Sequence, residues 1–379
     1  MGRELRRLPA LLDHRPLSET LSDRALNRAT LARQLLLERV ERPALEVVGH
    51  LVGLQAQVPR DPYVALWSRV AGFEPAELEA ALLERRAARL GVMRGTIHLV
   101  VAADALPLRR LVQPVYAALV WRHRDLSPLL RGVDLDPVVA FARERLRERP
   151  HALPELRAAL ADRFPEHDAA ALAHAVVMLV PCVQVPPRGL WTRSARPTLA
   201  AADAWLGAET PCVPETQSLD RLVLRYLAAF GPASVADAST WSRLTGLRAV
   251  FERLRPGLRT FRDERGHELF DLPDAPRPEP ETPAPVRFLP EYDNVLLSHA
   301  DRSRFARPDA AGRLTPPAGL GWGAVLVDGL GSAIWRLENG DLVLRHVPLP
   351  KRSLASVLAE ARRLLGFFEA GGEARPVAL

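Results

Sequence analysis

Apolar residues recur at helical spacing through most of the first 250 positions, and the period changes to two at only a few places. Asn27 or Thr30 can cap a helix running to Glu38, with Leu31, Leu35 and Leu36 on one face. Pro43 suits the first turn of a second helix, whose Leu45, Val48, Leu51 and Val52 carry the pattern to Gln55. Asp61-Pro62 is a further cap-plus-proline start, and another helix spans 75–86. The period then switches: 90–93, the turn Arg94-Gly95 and 96–100 read as strand, turn, strand. Several helices followed by a hairpin is the order of a winged helix-turn-helix.

That order recurs twice. Helices over 137–147, 154–160 and 168–179 lead to a hairpin over 183–193 with a basic tip. Helices starting at 220, 234 and 247 lead to strands 260–263 and 268–271 about Arg265-Gly266. A proline-rich stretch, 273–285, reads as a linker. Short strands near 286–289, 295–297, 322–326, 333–337 and 342–345 follow, then a helix over 353–368. The expected class is α+β: three tandem winged helix-turn-helix units with a small β-rich C-terminal module. The expected divisions are a basic N-terminal arm (1–25), winged units at 26–125, 126–215 and 216–272, the linker, and the module at 286–379.

Composition narrows the partners. Hydrophobic content of 48% and charged content of 25% are ordinary for a folded chain, and the formal charge of +6 favours a polyanion such as nucleic acid. Lys351 is the only lysine among the 51 basic residues, so amine chemistry has one side-chain candidate. Cys182 and Cys212 lack a CxxC partner or a neighbouring histidine pair, which argues against zinc and fits a reducing compartment. No stretch has the length and apolarity of a membrane span, and Met1–Arg7 lacks the apolar core of a signal peptide. The expectation is a cytoplasmic protein without membrane contact.

The most distinctive run is Gly53-Leu54-Gln55-Ala56-Gln57-Val58-Pro59. Residues two apart point to nearly opposite faces of a helix and to the same face of an extended chain. Pro59 biases Val58 away from the α region, so the helix is expected to end here and to leave two neutral amides aimed together. Such amides both donate and accept hydrogen bonds, which suits holding a water beside a developing cation.

These residues, with Met93-Arg94-Gly95-Thr96-Ile97-His98-Leu99-Val100 and the segment Leu289-Pro290-Glu291-Tyr292-Asp293-Asn294-Val295-Leu296-Leu297-Ser298-His299-Ala300-Asp301-Arg302, resemble the AlkZ-like winged-helix DNA glycosylases from about Leu26 onward. The resemblance implies hydrolysis of the N-glycosidic bond of N7-alkylated purines in duplex DNA, including bulky adducts or crosslinks left by natural products. Gln55-Ala56-Gln57 places the chain with the Gln-x-Gln branch, associated with self-resistance to a genotoxic metabolite. It implies Gln55 and Gln57 as the catalytic residues, with no cofactor and no metal.

An N7-alkylated purine is already cationic and leaves readily, so the enzyme has to stabilise an oxocarbenium-like sugar and place water. Scarcity of lysine predicts a monofunctional enzyme that leaves an abasic site. A channel made by one chain needs no partner, so a monomer is expected. Candidate DNA contacts are Arg60, then Arg94, Thr96 and His98 on the first hairpin, and Arg188, Arg193 and Arg196 around the second. Thr96 and His98 have an equal claim to hairpin capping and packing. Glu291, Asp293, Ser298, His299, Asp301 and Arg302 form a polar cluster with no catalytic assignment, in which Asp301 and Arg302 can pair with each other. The competing reading is a transcriptional regulator, but 168–174 offers almost no base-reading side chains. A hydrolase of another kind has no GxSxG, P-loop or HExxH to support it.

Overall fold

The computed structural model describes residues 19–193, 195–207, 215–307 and 321–379. Most of the expected N-terminal arm, including Arg3, Arg6, Arg7, His14 and Arg15, lies outside the described residues, as does Cys212.

Folded structure begins earlier than expected. Strand Thr20–Leu21 pairs in parallel with strand Arg259–Asp263, which pairs antiparallel with Glu268–Asp271. Ser22 caps helix Asp23–Arg33 by accepting from the Ala25 amide at 3.2 Å. That helix does not reach Glu38. Leu35 takes φ 57° and the Leu36 amide returns to the Leu31 carbonyl, closing the helix with a non-glycine left-handed residue.

The first two expected hairpins do not stand apart. They merge into a six-stranded sheet in the order Leu54–Gln55, Ile97–Val101, Ala87–Gly91, Cys182–Gln184, Thr198–Ala201, His151–Ala152. The join pairs Arg89 with Gln184 and Leu90 with Val183, so two edges that would otherwise expose backbone donors and acceptors satisfy each other. The first hairpin starts at Ala87, with Met93 in the turn. In the second, the return strand is Thr198–Ala201 instead of the run before Arg193. Helices Ala102–Leu111 and Gln113–Val120 follow the first hairpin without having been read from the sequence.

The C-terminal sheet runs in chain order: Arg287–Leu289, Gly323–Val327, Leu330–Glu338, Asp341–His346, Ala374–Ala378. Helix Lys351–Phe367 provides the crossover that makes the last pair parallel. The strand expected at 295–297 is instead the 3-10 turn Asn294–Leu296, with the Asp293 side chain accepting from the Val295 amide at 3.0 Å.

Hydrophobic cores cross the expected divisions. One core packs Val47, Leu51 and Leu66 from the first helices against Phe288, Trp335 and Leu364 of the C-terminal module. A second packs Val52, Leu90 and Val92 of the first hairpin region against Tyr226, Phe230 and Trp241. The proline-rich stretch is tied to the first helix, where Arg28 donates to the Thr282 carbonyl at 2.6 Å and Arg33 to the Pro276 carbonyl at 3.2 Å.

Candidate active site

The helix leading to the glutamines is shorter than its apolar pattern suggests, spanning Ala44–His50. Val52 (φ 57°) and Gly53 (φ 96°) turn the chain out of it, with the Gly53 amide returning to the Val48 carbonyl at 2.9 Å. A Cβ at Gly53 would stand 2.8 Å from Val100 Cγ1 and 3.0 Å from the Leu99 carbonyl oxygen, so conformation and space both require glycine. The chain then runs extended. Leu54 pairs with Leu99, Gln55 with His98, and the Ala56 amide donates to the Ile97 carbonyl at 2.8 Å. The motif therefore lies on an edge strand. Pairing with the hairpin makes it extended, whereas Pro59 was the expected cause.

The two amides differ in exposure. Gln55 is buried and Gln57 exposed. Gln57 Oε1 accepts from the Ile97 amide at 3.3 Å. Gln55 Oε1 accepts from Arg94 Nη2 at 2.5 Å, and Gln55 Nε2 makes no hydrogen bond among the described residues.

Arg94 is the hub of this region. It sits in the 3-10 turn Met93–Gly95 at φ 57°, ψ 11°. Besides Gln55, its Nη2 reaches His98 Nε2 and Asn294 Oδ1, each at 3.2 Å. Its buried Nη1 has no partner. A guanidinium only donates, so His98 Nε2 is the acceptor and Nδ1 carries the proton, donated to the Thr96 carbonyl at 3.1 Å. Burial, reinforced by the Arg94 charge, lowers the His98 pKa to about 3, which keeps the ring neutral. Burial also lowers Arg94 itself to about 10, with the charges of Arg243 and Arg302 adding to the effect.

Of the expected phosphate contacts on the first hairpin, this geometry argues against His98. His98 is fully buried and out of reach of direct DNA contact. Thr96 Oγ1 donates to the Met93 carbonyl at 3.1 Å, holding the turn. Arg94 points inward at Gln55.

Asn294 brings the C-terminal module to the motif. Its Nδ2 donates to the Gly53 carbonyl at 2.7 Å while its Oδ1 accepts from Arg94. The neighbouring Asp293 holds buried Arg69 by two parallel bonds of 2.8 Å. Asp61, in the first turn of helix Asp61–Trp67, is buried with no partner for Oδ2. Burial raises its pKa well above the usual carboxylate range, and the charges of Glu291 and Asp293 act in the same direction. On the other side, Arg89 Nη2 donates to the Ala56 carbonyl at 2.8 Å. Gly189 leaves room for this arginine, since a Cβ there would lie 2.6 Å from Arg89 Cδ.

Asp301 does not pair with Arg302; it faces Arg265 at 3.4 Å. His299 and Ser298 serve the interior, contacting the Phe230 carbonyl at 3.0 Å and the Asn294 carbonyl at 2.5 Å. Arg60 is exposed, its guanidinium 5.3 Å from the Trp191 ring centroid. Arg188 donates to the Ala195 carbonyl at 2.7 Å, and Arg193 and Arg196 are exposed in the connection to Thr198–Ala201. None of these four is among the residues bonded to the motif. Sequence reasoning missed Arg89, Asp61 and Arg243 and gave Asn294 no role; for Asn294 the available signal was its place in the 289–302 segment. Among the described residues, no group of three or more His, Cys, Asp or Glu side chains is placed to hold a metal ion. No helix among them is long and apolar enough to cross a membrane.

Residues 48–367 match the family model described as DNA glycosylase AlkZ-like. The interstrand DNA cross-link repair glycosylase of Streptomyces sahachiroi is 24% identical over 365 residues, covering 89% of this chain and 94% of that protein. The solved structure of Streptomyces sahachiroi DNA glycosylase AlkZ superposes with a TM-score of 0.77 at 20% identity, covering 94% of this chain and 100% of that one, which establishes a shared fold. With most of its length matched by the family model, the chain belongs to the AlkZ-like DNA glycosylase family.

Proposed function

We propose that this protein is a monofunctional DNA glycosylase that hydrolyses the N-glycosidic bond of N7-alkylated purines in duplex DNA, with Gln55 and Gln57 as its catalytic residues. The observation that carries the reading is the fixed geometry of Gln55, buried on an edge strand with its oxygen held by Arg94 at 2.5 Å. The relative's name specifies interstrand cross-link repair, so bulky adducts and crosslinks are included as substrates, in repair or self-resistance.

The cationic purine departs with the C1′–N9 electron pair. Each amide oxygen has a second lone pair. One stabilises the sugar cation and the other accepts a hydrogen bond from the water whose oxygen bonds to C1′. Products are the free base and an abasic site. The water's proton passes to solvent. Gln55 is the pre-set member, while Gln57, exposed and held by a longer bond of 3.3 Å, adjusts to substrate. No strong base is needed for so activated a leaving group, and His98 is neutral and spent on the hairpin.

Each helical group with its hairpin acts as a winged unit along a DNA channel, in one chain working as a cytoplasmic monomer. Arg60, Arg188, Arg193 and Arg196 contact the backbone. Lys351, the one lysine of the sequence, starts the C-terminal helix that packs on the C-terminal sheet, and this supports a reading without a Schiff-base amine. The regulator reading loses support because helix Ala169–Leu179 buries Ala171, Leu172, Ala173, Ala175 and Val176 in a core.

The test is release of free base from duplex DNA carrying N7-methylguanine. Wild type releases it, and Gln55→Ala/Gln57→Ala loses on the order of 100- to 1000-fold in rate, typical of removing a preorganised electrostatic group. Equal release by both would end this reading. Borohydride trapping of a protein–DNA adduct would overturn the monofunctional assignment.

A further inference from the structure

Arg89 stands apart from the other arginines that the fold buries completely. Arg28, Arg33 and Arg69 face carboxylates, and Arg109 reaches Gln113 and the Met178 carbonyl. Arg89 makes no ion pair among the described residues, and its one side-chain hydrogen bond runs from Nη2 to the Ala56 carbonyl at 2.8 Å. Its Nε and Nη1 are buried without acceptors. A buried guanidinium so poorly compensated costs stability, and an apolar side chain of similar volume would cost less. What the cation contributes is the bond to Ala56.

Ala56 lies between the two glutamines. Its amide donates to the Ile97 carbonyl of the first hairpin, and its carbonyl accepts from Arg89, so the peptide planes on both sides of it are fixed. Gln57, whose side-chain oxygen has only the 3.3 Å bond from the Ile97 amide, takes its backbone direction from the second of these planes. The loop of the second hairpin covers the other face of Arg89. A Cβ on Gly189 would stand 2.6 Å from Arg89 Cδ and 2.9 Å from Nη1, so the Gly189 backbone lies against the side chain. Tyr63 holds it there, its hydroxyl donating to the Gly189 carbonyl at 2.7 Å. Two residues on, the Trp191 ring lies 5.1 Å from that of Tyr63 and carries the Arg60 guanidinium. The loop therefore touches the chain on both sides of Gln57, through Arg89 at Ala56 and through Arg60 and Tyr63 beyond it.

We propose that Arg89 is a positioning residue for base release: the second hairpin's loop, held on Arg89 by Tyr63, keeps the guanidinium on the Ala56 carbonyl and so sets the backbone of Gln57 for the reaction. This rests on the glycosylase reading of the Gln55–Gln57 motif. In that reading the same loop carries the DNA contacts Arg188 and Arg193, so DNA held by the second hairpin and the aim of a glutamine beside the first share one side chain.

The experiment measures single-turnover release of N7-methylguanine from duplex DNA over a range of enzyme concentrations, beside urea unfolding. Arg89→Met removes the bond and the unpaired charge together. Its saturating rate falls on the order of 10-fold, while the half-saturating concentration stays at wild type and the urea midpoint is equal to wild type or above it. Gly189→Ala drives a methyl group into Arg89; it loses rate in the wild-type background and little more beside the flexible side chain of Arg89→Met. Tyr63→Phe releases the Gly189 carbonyl and also lowers the saturating rate, which keeps the test open should Arg89→Met not fold. A wild-type rate in Arg89→Met or in Tyr63→Phe would overturn the relay. So would a urea midpoint that falls with the rate in Arg89→Met, or losses that multiply in full for Arg89→Met/Gly189→Ala. Hydrogen exchange of the Ala56 amide needs no substrate and separates the two claims. Faster exchange in Arg89→Met and Tyr63→Phe, with no base release by wild type, sinks the glycosylase reading alone. Release by wild type, with rate and exchange unchanged in both variants, sinks the relay alone.

Discussion

Arg94 Nη2 donates to Gln55 Oε1 across 2.5 Å, from a residue whose own backbone is left-handed at φ 57°. The hairpin turn thus fixes a side chain on the neighbouring strand. Arg94→Lys keeps the charge and loses the fork. Hydrogen bonds to charged groups contribute about 1.5–3 kcal/mol, so single-turnover base release should drop by roughly 10- to 100-fold. A rate equal to wild type would show that Gln55 holds its position unaided.

Gly53→Ala should damage both stability and activity. It places a methyl group against Val100 and the Leu99 carbonyl at a φ of 96°. The strained backbone alone costs about 1–3 kcal/mol, readable by urea unfolding, and the shifted strand carries Gln55 away from Arg94. Unchanged unfolding and unchanged base release would contradict this account of the turn.

Asp293→Ala leaves Arg69 buried without its carboxylate partner. Breaking such a pair costs about 3–5 kcal/mol. The urea midpoint should fall sharply, and a midpoint close to wild type would mean that Arg69 finds another acceptor. Gln34, whose carbonyl already accepts from Arg69 Nε at 2.9 Å, is the one to inspect.

Two buried groups predict opposite pH behaviour. The folded pKa of His98 is depressed to about 3 from an ordinary 6.5, so its contribution to stability is complete above pH 6.5 and is lost as pH falls toward 3. Wild-type unfolding free energy should decline on acidification by up to about 1.4 kcal/mol per pH unit from this proton. His98→Gln should show a shallower decline over the same window; an identical slope would rule out His98 as the source.

Asp61 has its folded pKa raised, so the protein is penalised as pH climbs above the ordinary carboxylate value and the unfolded chain ionises first. Asp61→Asn should therefore be more stable than wild type at pH 7, with the advantage gone near pH 3. Destabilisation at pH 7 would indicate that the charged form is held by a contact to Tyr292 or beyond.

Much of the local structure was legible in the sequence. The helical stretches, the hairpin around Arg94-Gly95 and the C-terminal run of strands follow from period and turn residues. The extended state of Gln55 was anticipated for the wrong cause: Leu51, Val52 and Leu54 fit a helix, and nothing in valine announces φ 57° at Val52. The pairing of Arg89 with Gln184 joins two hairpins far apart in the chain, which periodicity does not encode. The inward turn of Arg94, the burial of His98 and the reach of Asn294 to Gly53 depend on the same long-range packing. Side-chain type alone suggested surface contacts for the first two.

The carbonyls around the glutamines are claimed by distant residues. Asn294 takes Gly53, and Arg89 takes Ala56. The Gln-x-Gln strand with the hairpin it pairs to is consequently not a portable cassette. Grafted onto another helix-and-hairpin scaffold, it would bring the two amides without the parts that aim them. Dividing the chain at the proline-rich stretch would likewise separate Gln55 from Asn294, so activity should reappear only when both fragments reassemble.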